Sequence, residues 1–307
     1  MRTRVHLVRP HHLASQRVAA FINHCDLTFK TSCLNLTESS QCTPAGNSCE
    51  KPIMITRASL LGCLGGSVLV LWLGMVPQGL AGKEAQPSPS AASGGWGLDF
   101  DGVDDRVVID KFRYDGSYPI TMEAVVLPTK DVKGSVLVDF ELAGIGLHLY
   151  GGEKGDRRWK FNVRDELNYR VASADEKAEL GRAVHLAGVF DGKAVSLFVN
   201  GKPQKRTGML QGKFVPSGLP FYVGSNPRPD GGFHECFAGQ IDAVRLSRGV
   251  RYEKPFQPPQ KFEKDDSTLV LLNFEEGQGD KAADESGNGY HGMVVGAKWL
   301  RIEPAKP

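Results

Sequence analysis

Acidic side chains are the first residues in this sequence that could do chemistry. The stretch "DGVDD" places Asp101, Asp104 and Asp105 in one tight turn, and "GQIDAVR" supplies Asp242. Carboxylate oxygens are ligands that Ca²⁺ prefers. If the first strand and this late strand are neighbours, Asp104 and Asp242 are the expected ligands of a structural calcium ion. The alternative is that these aspartates cap turns.

A second acidic motif imitates part of a calcium-binding loop. Asp284-x-Ser286-x-Asn288-Gly289 matches the first half of such a loop. The twelfth position is Val295, so the bidentate glutamate is missing. Turn formation is the simpler interpretation of this segment.

Paired carboxylates could also cleave glycosidic bonds, which requires one acid and one base or nucleophile. The nearest candidate is Asp139-Phe-Glu141, whose two carboxylates would point to the same side of a strand. A third acidic residue, as in a Glu-x-Asp-x-x-Glu strand, is missing. We therefore expect no catalytic residues and a protein that is not an enzyme; a glycoside hydrolase is the alternative.

Two further motifs are weaker. "GNGYHG" (287–292) fits Gly-x-Gly-x-x-Gly, but "MVVGAKW" follows it and is typical of a strand, where a dinucleotide site needs a helix. His234-Glu235-Cys236 has no evident partner that completes a nucleophilic set. We interpret the glycines as turn residues and Cys236 as an ordinary buried cysteine.

The elements that must position these residues are short strands separated by Gly, Asp, Asn and Pro, which is typical of an all-β sandwich or barrel. One segment, 174–183, could form one or two helical turns. The predicted strands are 96–100, 105–110, 120–128, 134–142, 145–150, 158–164, 168–173, 183–190, 193–199, 219–224, 237–247, 267–274 and 292–299.

The clearest local signal is a pair of turns, Asp191-Gly192 and Asn200-Gly201, which predict two tight hairpins. Between them "AVSLFV" is apolar on both faces. Such a strand lies between two layers or under a covering loop. These hairpins are therefore expected to be structural.

The N-terminal third differs in composition from the rest. Residues 54–81 have a basic start, an apolar run over residues 60–76 and small residues near 79 and 81, as in a secretory signal peptide. A membrane anchor is the alternative, and membrane association is expected only if residues 60–76 are not cleaved. Residues 1–53 are predicted to be an untranslated or disordered extension, and 82–95 a linker. We expect a secreted, periplasmic or cell-surface protein.

Charge argues against one class of partner. The net charge is +2, and the 37 Lys and Arg residues are scattered along the chain. A basic stripe, which nucleic-acid binding requires, is not evident. We expect no nucleic-acid partner.

Several segments together resemble the laminin G-like, concanavalin A-like jelly-roll modules of secreted bacterial proteins. The resemblance covers 96–300, with 301–307 as a tail, and implies two antiparallel sheets packed face to face. In this family "DESGNGYHG" often precedes the "FDGVDD" strand, whereas here it ends the domain, which leaves the pairing of the last strands open. The segments are "LDFDGVDDRVVI" (98–109), "ITMEAVVLPTK" (120–130), "RAVHLAGVFDGKAVSLFVNGK" (182–202), "FYVGSNP" (221–227), "FAGQIDAVRLSRGVRY" (237–252) and "LNFEEGQGDKAADESGNGYHG" (272–292).

The resemblance implies a non-catalytic module that binds an extracellular glycan or protein; a purely structural surface protein is a further alternative. Sugar rings stack on exposed aromatic rings, and several aromatic residues lie near turns. Trp159 and Tyr169 are expected on adjacent strands and are the predicted ligand-binding pair. The alternative is that these rings fill the core.

Overall fold

The computed structural model describes residues 95–140 and 142–302. The chain divides into two units, Met1–Glu84 and Ala85–Pro307, and all described residues belong to the second. The predictions for 1–53, 54–81 and nearly all of 82–95 lie outside the described residues. Within the described part, no helix is long and apolar enough to cross a membrane.

The described residues form β-strands joined by turns and loops, and no helix occurs among them, including at 174–183. The strands are β1 (Trp96–Asp101), β2 (Arg106–Ile109), β3 (Ile120–Pro128), β4 (Gly134–Val138), β5 (Ile145–Leu149), β6 (Trp159–Arg164), β7 (Tyr169–Ser173), β8 (Val184–Phe190), β9 (Ala194–Val199), β10 (Lys202–Pro203), β11 (Gly208–Met209), β12 (Phe221–Val223), β13 (Asn226–Pro227), β14 (Phe233–His234), β15 (Ala238–Arg248), β16 (Thr268–Leu272), β17 (Lys281–Ala282), β18 (Gly292–Val295) and β19 (Lys298–Arg301).

Two antiparallel sheets make the sandwich. The larger, nine-stranded sheet has the order β10-β9-β8-β3-β15-β1-β19, with β11 on β9 and β16 on β15. The smaller, eight-stranded sheet has the order β17-β18-β2-β12-β4-β5-β6-β7. The prediction of an all-β, two-sheet jelly-roll sandwich is confirmed.

The core lies between the sheets because alternate side chains of each strand point inward. In β3, Ile120, Met122 and Ala124 enter the core, and in β6, Phe161 and Val163 do. The intervening residues therefore point to the outer faces of the two sheets. Each fully buried side chain of this kind stabilises the fold by about 1.5–3 kcal/mol.

The two hairpins predicted from their turns are present. β8 pairs with β9, and β9 pairs with β10. Asn200 and Gly201 have φ angles of 50° and 74°, as the second turn requires. One face of β9 enters the core, and Phe198 on the other packs beneath Tyr252 and Phe256, so a covering segment lies over this strand.

The register also settles the pairing of the last strands. β18 pairs with β2, and β19 pairs with β1. The C-terminal segment therefore returns to the first strands of the domain, which accounts for its unusual place in the sequence. The predicted single strand 292–299 is two strands, because a turn at Gly296 (φ 84°) interrupts it.

Candidate functional site

The outer face of the smaller sheet carries a group of aromatic and polar side chains that we call the polar–aromatic face. In β6, Lys160 and Asn162 alternate with core residues and so lie on this face. Tyr222 of β12 lies there too, because its neighbours Phe221 and Val223 are in the core. The members are Ser135, His148, Tyr150, Lys160, Asn162, Tyr222 and Phe233.

A short hairpin, residues 225–236 with β13 and β14, forms one wall of this face. The chain leaves the sheet at Gly224, whose N–H donates to the Val136 carbonyl (3.1 Å), and returns at Phe237, whose N–H donates to the Gly224 carbonyl (2.8 Å). The Phe233 ring then packs edge-on against Tyr222, with centroids 5.6 Å apart. The Arg106 guanidinium lies 4.2 Å from the Phe233 ring centre.

His148 lies at the base of the polar–aromatic face. Its Nδ1 lies 2.9 Å from the Ser135 hydroxyl, with donor and acceptor set by the tautomer. Its Nε2 is buried and has no hydrogen-bond partner of good geometry among the described residues, and the Asn162 side chain is a polar neighbour of the ring. Burial lowers the pKa of His148 to about 4, an effect that the nearby Glu235 charge opposes. The imidazole is therefore neutral at pH 7.

A glycine on the same strand makes room for this ring. A Cβ at Gly146 would lie 2.2 Å from His148 Nε2, so a larger residue there would displace the imidazole. The Tyr150 ring packs on His148 with centroids 4.9 Å apart. Lys160 Nζ lies 5.2 Å from the centre of the Tyr150 ring. The half-buried Tyr150 ring thus lies between the neutral His148 imidazole and the Lys160 ammonium. This arrangement suits a polar ligand with apolar faces.

The structure corrects the predicted pairing of Trp159 with Tyr169. β6 and β7 are adjacent as expected, but Tyr169 lies opposite Arg164, at the far end of β6 from Trp159. Five residues of strand separate the two ends by roughly 17 Å. The Trp159 side chain is 3% exposed and packs against Phe237 in the core, so it is not accessible to a sugar.

Tyr169 keeps a place at the surface. Its ring is half-buried on the outer face of the smaller sheet, with the Arg164 guanidinium 4.9 Å from its centre. Tyr150, Tyr222 and Phe233 also lie near turn-rich segments of the sequence, and all three lie on the polar–aromatic face. His148 stands alone in the sequence, and no sequence signal predicts the 225–236 hairpin.

The predicted calcium ligands are not brought together. In the β1–β15 register Asp101 lies opposite Ala238, and Leu98 opposite Ile241, so Asp242 lies beside Gly97 at the other end of β1. Four residues of strand span about 13 Å, whereas two ligands of one Ca²⁺ lie about 5 Å apart or less. A calcium ion shared by Asp104 and Asp242 is therefore wrong.

Asp104 instead clusters with its sequence neighbours. Carboxylate oxygens of Asp101, Asp104 and Asp105 lie within 4.8 Å of one another. Two of them also hold the turn: Asp101 accepts a hydrogen bond from the Val103 N–H (2.7 Å), and Asp105 from the Asp101 N–H (2.8 Å). Burial raises the pKa of Asp105, and the neighbouring aspartates add to this. Calcium at this turn stays a prediction.

The Asp284 loop is a hydrogen-bonded turn. The two carboxylate oxygens of Asp284 accept bonds from the N–H groups of Leu271, Ser286 and Tyr290 and from the Ser286 hydroxyl. The loop is thereby fastened to β16. Gly287 and Gly289 of "GNGYHG" have φ angles of 93° and 77°, as turn residues do, whereas Gly292 is the first residue of β18.

Of the two candidate catalytic carboxylates, Asp139 lies among the described residues and has a structural role. Asp139 is buried and accepts hydrogen bonds from the Phe140 and Ile145 N–H groups and from the Ser217 hydroxyl. Burial raises its pKa to about 7. The Asp139 carboxyl group is thus buried and hydrogen-bonded, and it stabilises the β4–β5 turn. Glu141 lies outside the described residues.

Cys236 is buried beside β4, as interpreted from the sequence, and burial raises the pKa of its thiol. The strand alternation expected for His234-Glu235-Cys236 is interrupted, because Glu235 has a φ of 47°. A high pKa and burial make this thiol a poor nucleophile.

These features define an antiparallel β-sandwich with polar and aromatic side chains on the outer face of one sheet. The family model for the concanavalin A-like lectin/glucanases superfamily matches residues 101–254. The chain belongs to this superfamily. The comparison with curated proteins finds no match.

Several solved structures are similar to this chain at low sequence identity. A candidate carbohydrate-binding protein from Bacteroides ovatus has a TM-score of 0.53 and 16% identity, over 68% of this chain and 60% of that one. A heptameric SAP-like pentraxin from Limulus polyphemus has a TM-score of 0.39 and 15% identity, over 50% and 75%. Domains LG4-5 of the mouse laminin alpha1 chain have a TM-score of 0.41 and 18% identity, over 54% and 47%. This chain therefore spans about 60% of the length of the Bacteroides ovatus protein.

Proposed function

We propose that the sandwich is an exported, non-catalytic module that binds an extracellular glycan on the polar–aromatic face. The observation that carries this proposal is that the same sheet face carries two ring pairs, the half-exposed Tyr222–Phe233 and the pair Tyr150–His148. Such rings offer apolar surface to the C–H face of a sugar, and the adjacent polar groups offer hydrogen bonds to its hydroxyls.

Membership of a superfamily that includes lectins supports the proposal, as does the description of the Bacteroides ovatus protein as a candidate carbohydrate binder. The superfamily also includes glucanases. Hydrolysis needs two accessible carboxyl groups flanking the bond, and Asp139 is engaged in a buried turn. Binding is therefore the favoured function, with a protein ligand as the alternative occupant of the same face.

A glycan array probed with the full chain tests this function. We expect binding to a defined set of glycans, with the strongest signal reduced at least about tenfold in Tyr222→Ala, since a stacked ring contributes on the order of 1.4 kcal/mol or more. Phe256→Ala is the matched control, because Phe256 is also a half-buried ring but packs on the larger sheet. Equal binding by wild type and Tyr222→Ala would argue against this face.

Export is proposed on the composition of residues 54–81 and has its own test. N-terminal sequencing of protein recovered outside the cell should begin at Gly82. A protein that retains residues 60–76 would be anchored at the membrane instead.

A further inference from the structure

A separate cavity lies on the outer face of the larger sheet, away from the polar–aromatic face. Its volume is about 260 Å³. Strands β3 and β15 form its floor, and the end of β19 forms one side. The lining residues are Val125, Val126, Leu127, Ala183, Gln240, Asp242, Arg301 and Ile302. The walls are thus largely apolar, and the polar or charged lining residues are Gln240, Asp242 and Arg301.

Asp242 reaches this cavity because of a β-bulge. The register of β15 on β3 shifts between Ile241 and Ala243, so that Asp242 is the additional residue. Bulges redirect side chains in this way. Asp242 is 8% exposed, and none of the described residues donates a hydrogen bond to its carboxylate. A buried carboxylate without a partner is costly, and such groups are enriched at functional sites.

The charged groups around Asp242 are engaged elsewhere. Lys261 Nζ lies 3.6 Å from Glu275 Oε1, and the other Glu275 oxygen accepts the Trp96 N–H at 3.1 Å. The Arg301 guanidinium lies 4.4 Å from the centre of the Trp96 ring. Burial, followed by the Glu275 charge, raises the pKa of Asp242 to about 7, and Lys261 opposes this rise.

We propose that this cavity binds an alkylammonium group, with the ammonium on the Asp242 carboxylate and the alkyl chain against Val125, Leu127 and Ile302. An ammonium supplies the charge-assisted hydrogen bonds that this carboxylate lacks. A neutral apolar molecule would leave the carboxyl unpaired. An anion would face both Asp242 and Glu275, while the Arg301 guanidinium, which also lines the cavity, lies over the Trp96 ring. The ammonium belongs either to a free amine or to a lysine side chain of a peptide.

Ligand-observed NMR titration of the full chain with n-butylammonium chloride tests the site. We expect saturable binding, and at least about tenfold weaker binding of n-butanol, which has the same alkyl chain without the charge. Asp242→Asn should weaken n-butylammonium binding at least about tenfold while the protein stays folded, because the change keeps the side-chain shape and removes a buried charge.

A matched control comes from the neighbouring strand. Asp99 also lies on this outer face, opposite Gln240, but does not line the cavity. Asp99→Asn should leave the affinity for n-butylammonium within about twofold, since an exposed or half-exposed charge at a distance contributes little.

The pH dependence and the source of the amine complete the test. Binding should strengthen as pH rises through about 7, as Asp242 loses its proton beside Glu275, Lys261 and Arg301. A parallel titration with Nα-acetyl-lysine methylamide distinguishes the two sources: binding of this compound indicates a lysine side chain, and its exclusion indicates a free amine. Non-saturable binding, equal affinity for n-butanol, or equal affinity in Asp242→Asn would overturn the proposal.

Discussion

The outer faces of the two sheets carry similar residue types but are covered to different extents. On the larger sheet, Glu123 accepts hydrogen bonds from Arg245 (2.7 Å) and Tyr252 (2.8 Å), and its Oε1 lies 3.3 Å from His185 Nε2. On the smaller sheet, His148 Nδ1 lies 2.9 Å from the Ser135 hydroxyl, and its Nε2, like Nδ1 of His185 on the larger sheet, has no hydrogen-bond partner of good geometry among the described residues.

The difference comes from what lies over each face. Residues 249–264, the covering segment, place Tyr252, Phe256 and Phe262 on the larger sheet. Glu123 and Arg245 are thereby buried as a cross-strand pair. The 225–236 hairpin occupies only part of the smaller sheet and leaves Tyr222 and Phe233 half-exposed. The face under the covering segment, the closed face, stabilises the fold, and the face under the hairpin, the open face, is the one on which we propose that a ligand binds.

The largest effect on the free energy of unfolding is expected when the Glu123–Arg245 pair of the closed face is broken. Hydrogen bonds from His185 and Arg245 outweigh the effect of burial and lower the pKa of Glu123 to about 2. Glu123→Ala leaves Arg245 buried without its partner and should reduce the free energy of unfolding by about 3–5 kcal/mol. Urea unfolding measures this loss.

Glu179→Ala is the matched control, because the Glu179–Arg182 pair is at the surface with a distance of 2.7 Å. Surface pairs contribute about 0–1 kcal/mol. If Glu123→Ala cost no more than this control, the closed face would not be the stabilising one.

The second prediction tests whether the Trp159 ring lies in the core or on the outer face of the smaller sheet. Because its ring is in the core, Trp159→Ala should cost about 3–5 kcal/mol. Tyr169→Ala, on the outer face of the neighbouring strand, should cost clearly less. A Trp159→Ala protein with unchanged melting temperature and lost glycan binding would restore Trp159 as a binding residue.

Much of the fold could be predicted from local signals. Asp191-Gly192 and Asn200-Gly201 specify their hairpins through the φ angles that these turns need, so two hairpins follow from a few residues. The position of Trp159 was also present in the sequence, since "WKFNVR" alternates Trp159, Phe161 and Val163 with polar residues. That alternation places the tryptophan on the core face.

The rest depends on contacts between residues distant in sequence. Glu123 and Arg245 meet across 122 residues. The register of β15 on β1, which places Asp242 at the far end of β1 from Asp104, has no local sequence signature, so the expected calcium pair was wrong. The 225–236 hairpin was missed because its strands are two residues each, too short for an alternation pattern.

The third prediction uses pH to separate the two faces. The pKa of His148 is about 4 when folded and near 6.5 when unfolded, so protonation favours the unfolded state. The neutral His148 ring therefore makes its full contribution to the free energy of unfolding above pH 6.5. This contribution, on the order of 3 kcal/mol at most, is lost as pH falls toward 4. The Glu123 contribution is lost only below about pH 4.5, as pH falls toward 2.

Urea midpoints at pH 7 and pH 4.5 measure the two contributions. In His148→Gln the loss of stability between these values should be smaller than in wild type. An identical loss in both proteins would mean that His148 is not buried as described.

The smallest expected effect concerns calcium. If the turn with Asp101, Asp104 and Asp105 holds an ion, excess EDTA should lower the melting temperature by mass action. Asp104→Ala should abolish this drop, whereas Asp242→Ala should preserve it, since the strand register separates the two residues. A melting temperature unchanged by EDTA would exclude a stabilising calcium ion.

The central claim is that a ligand binds the open face and not the closed one. Hydrogen exchange of the full chain, with and without the strongest ligand from the glycan array, tests it most directly. We predict slower exchange in residues 145–164 and 221–236, with no change in the covering segment. Protection confined to residues 249–264 would contradict the account.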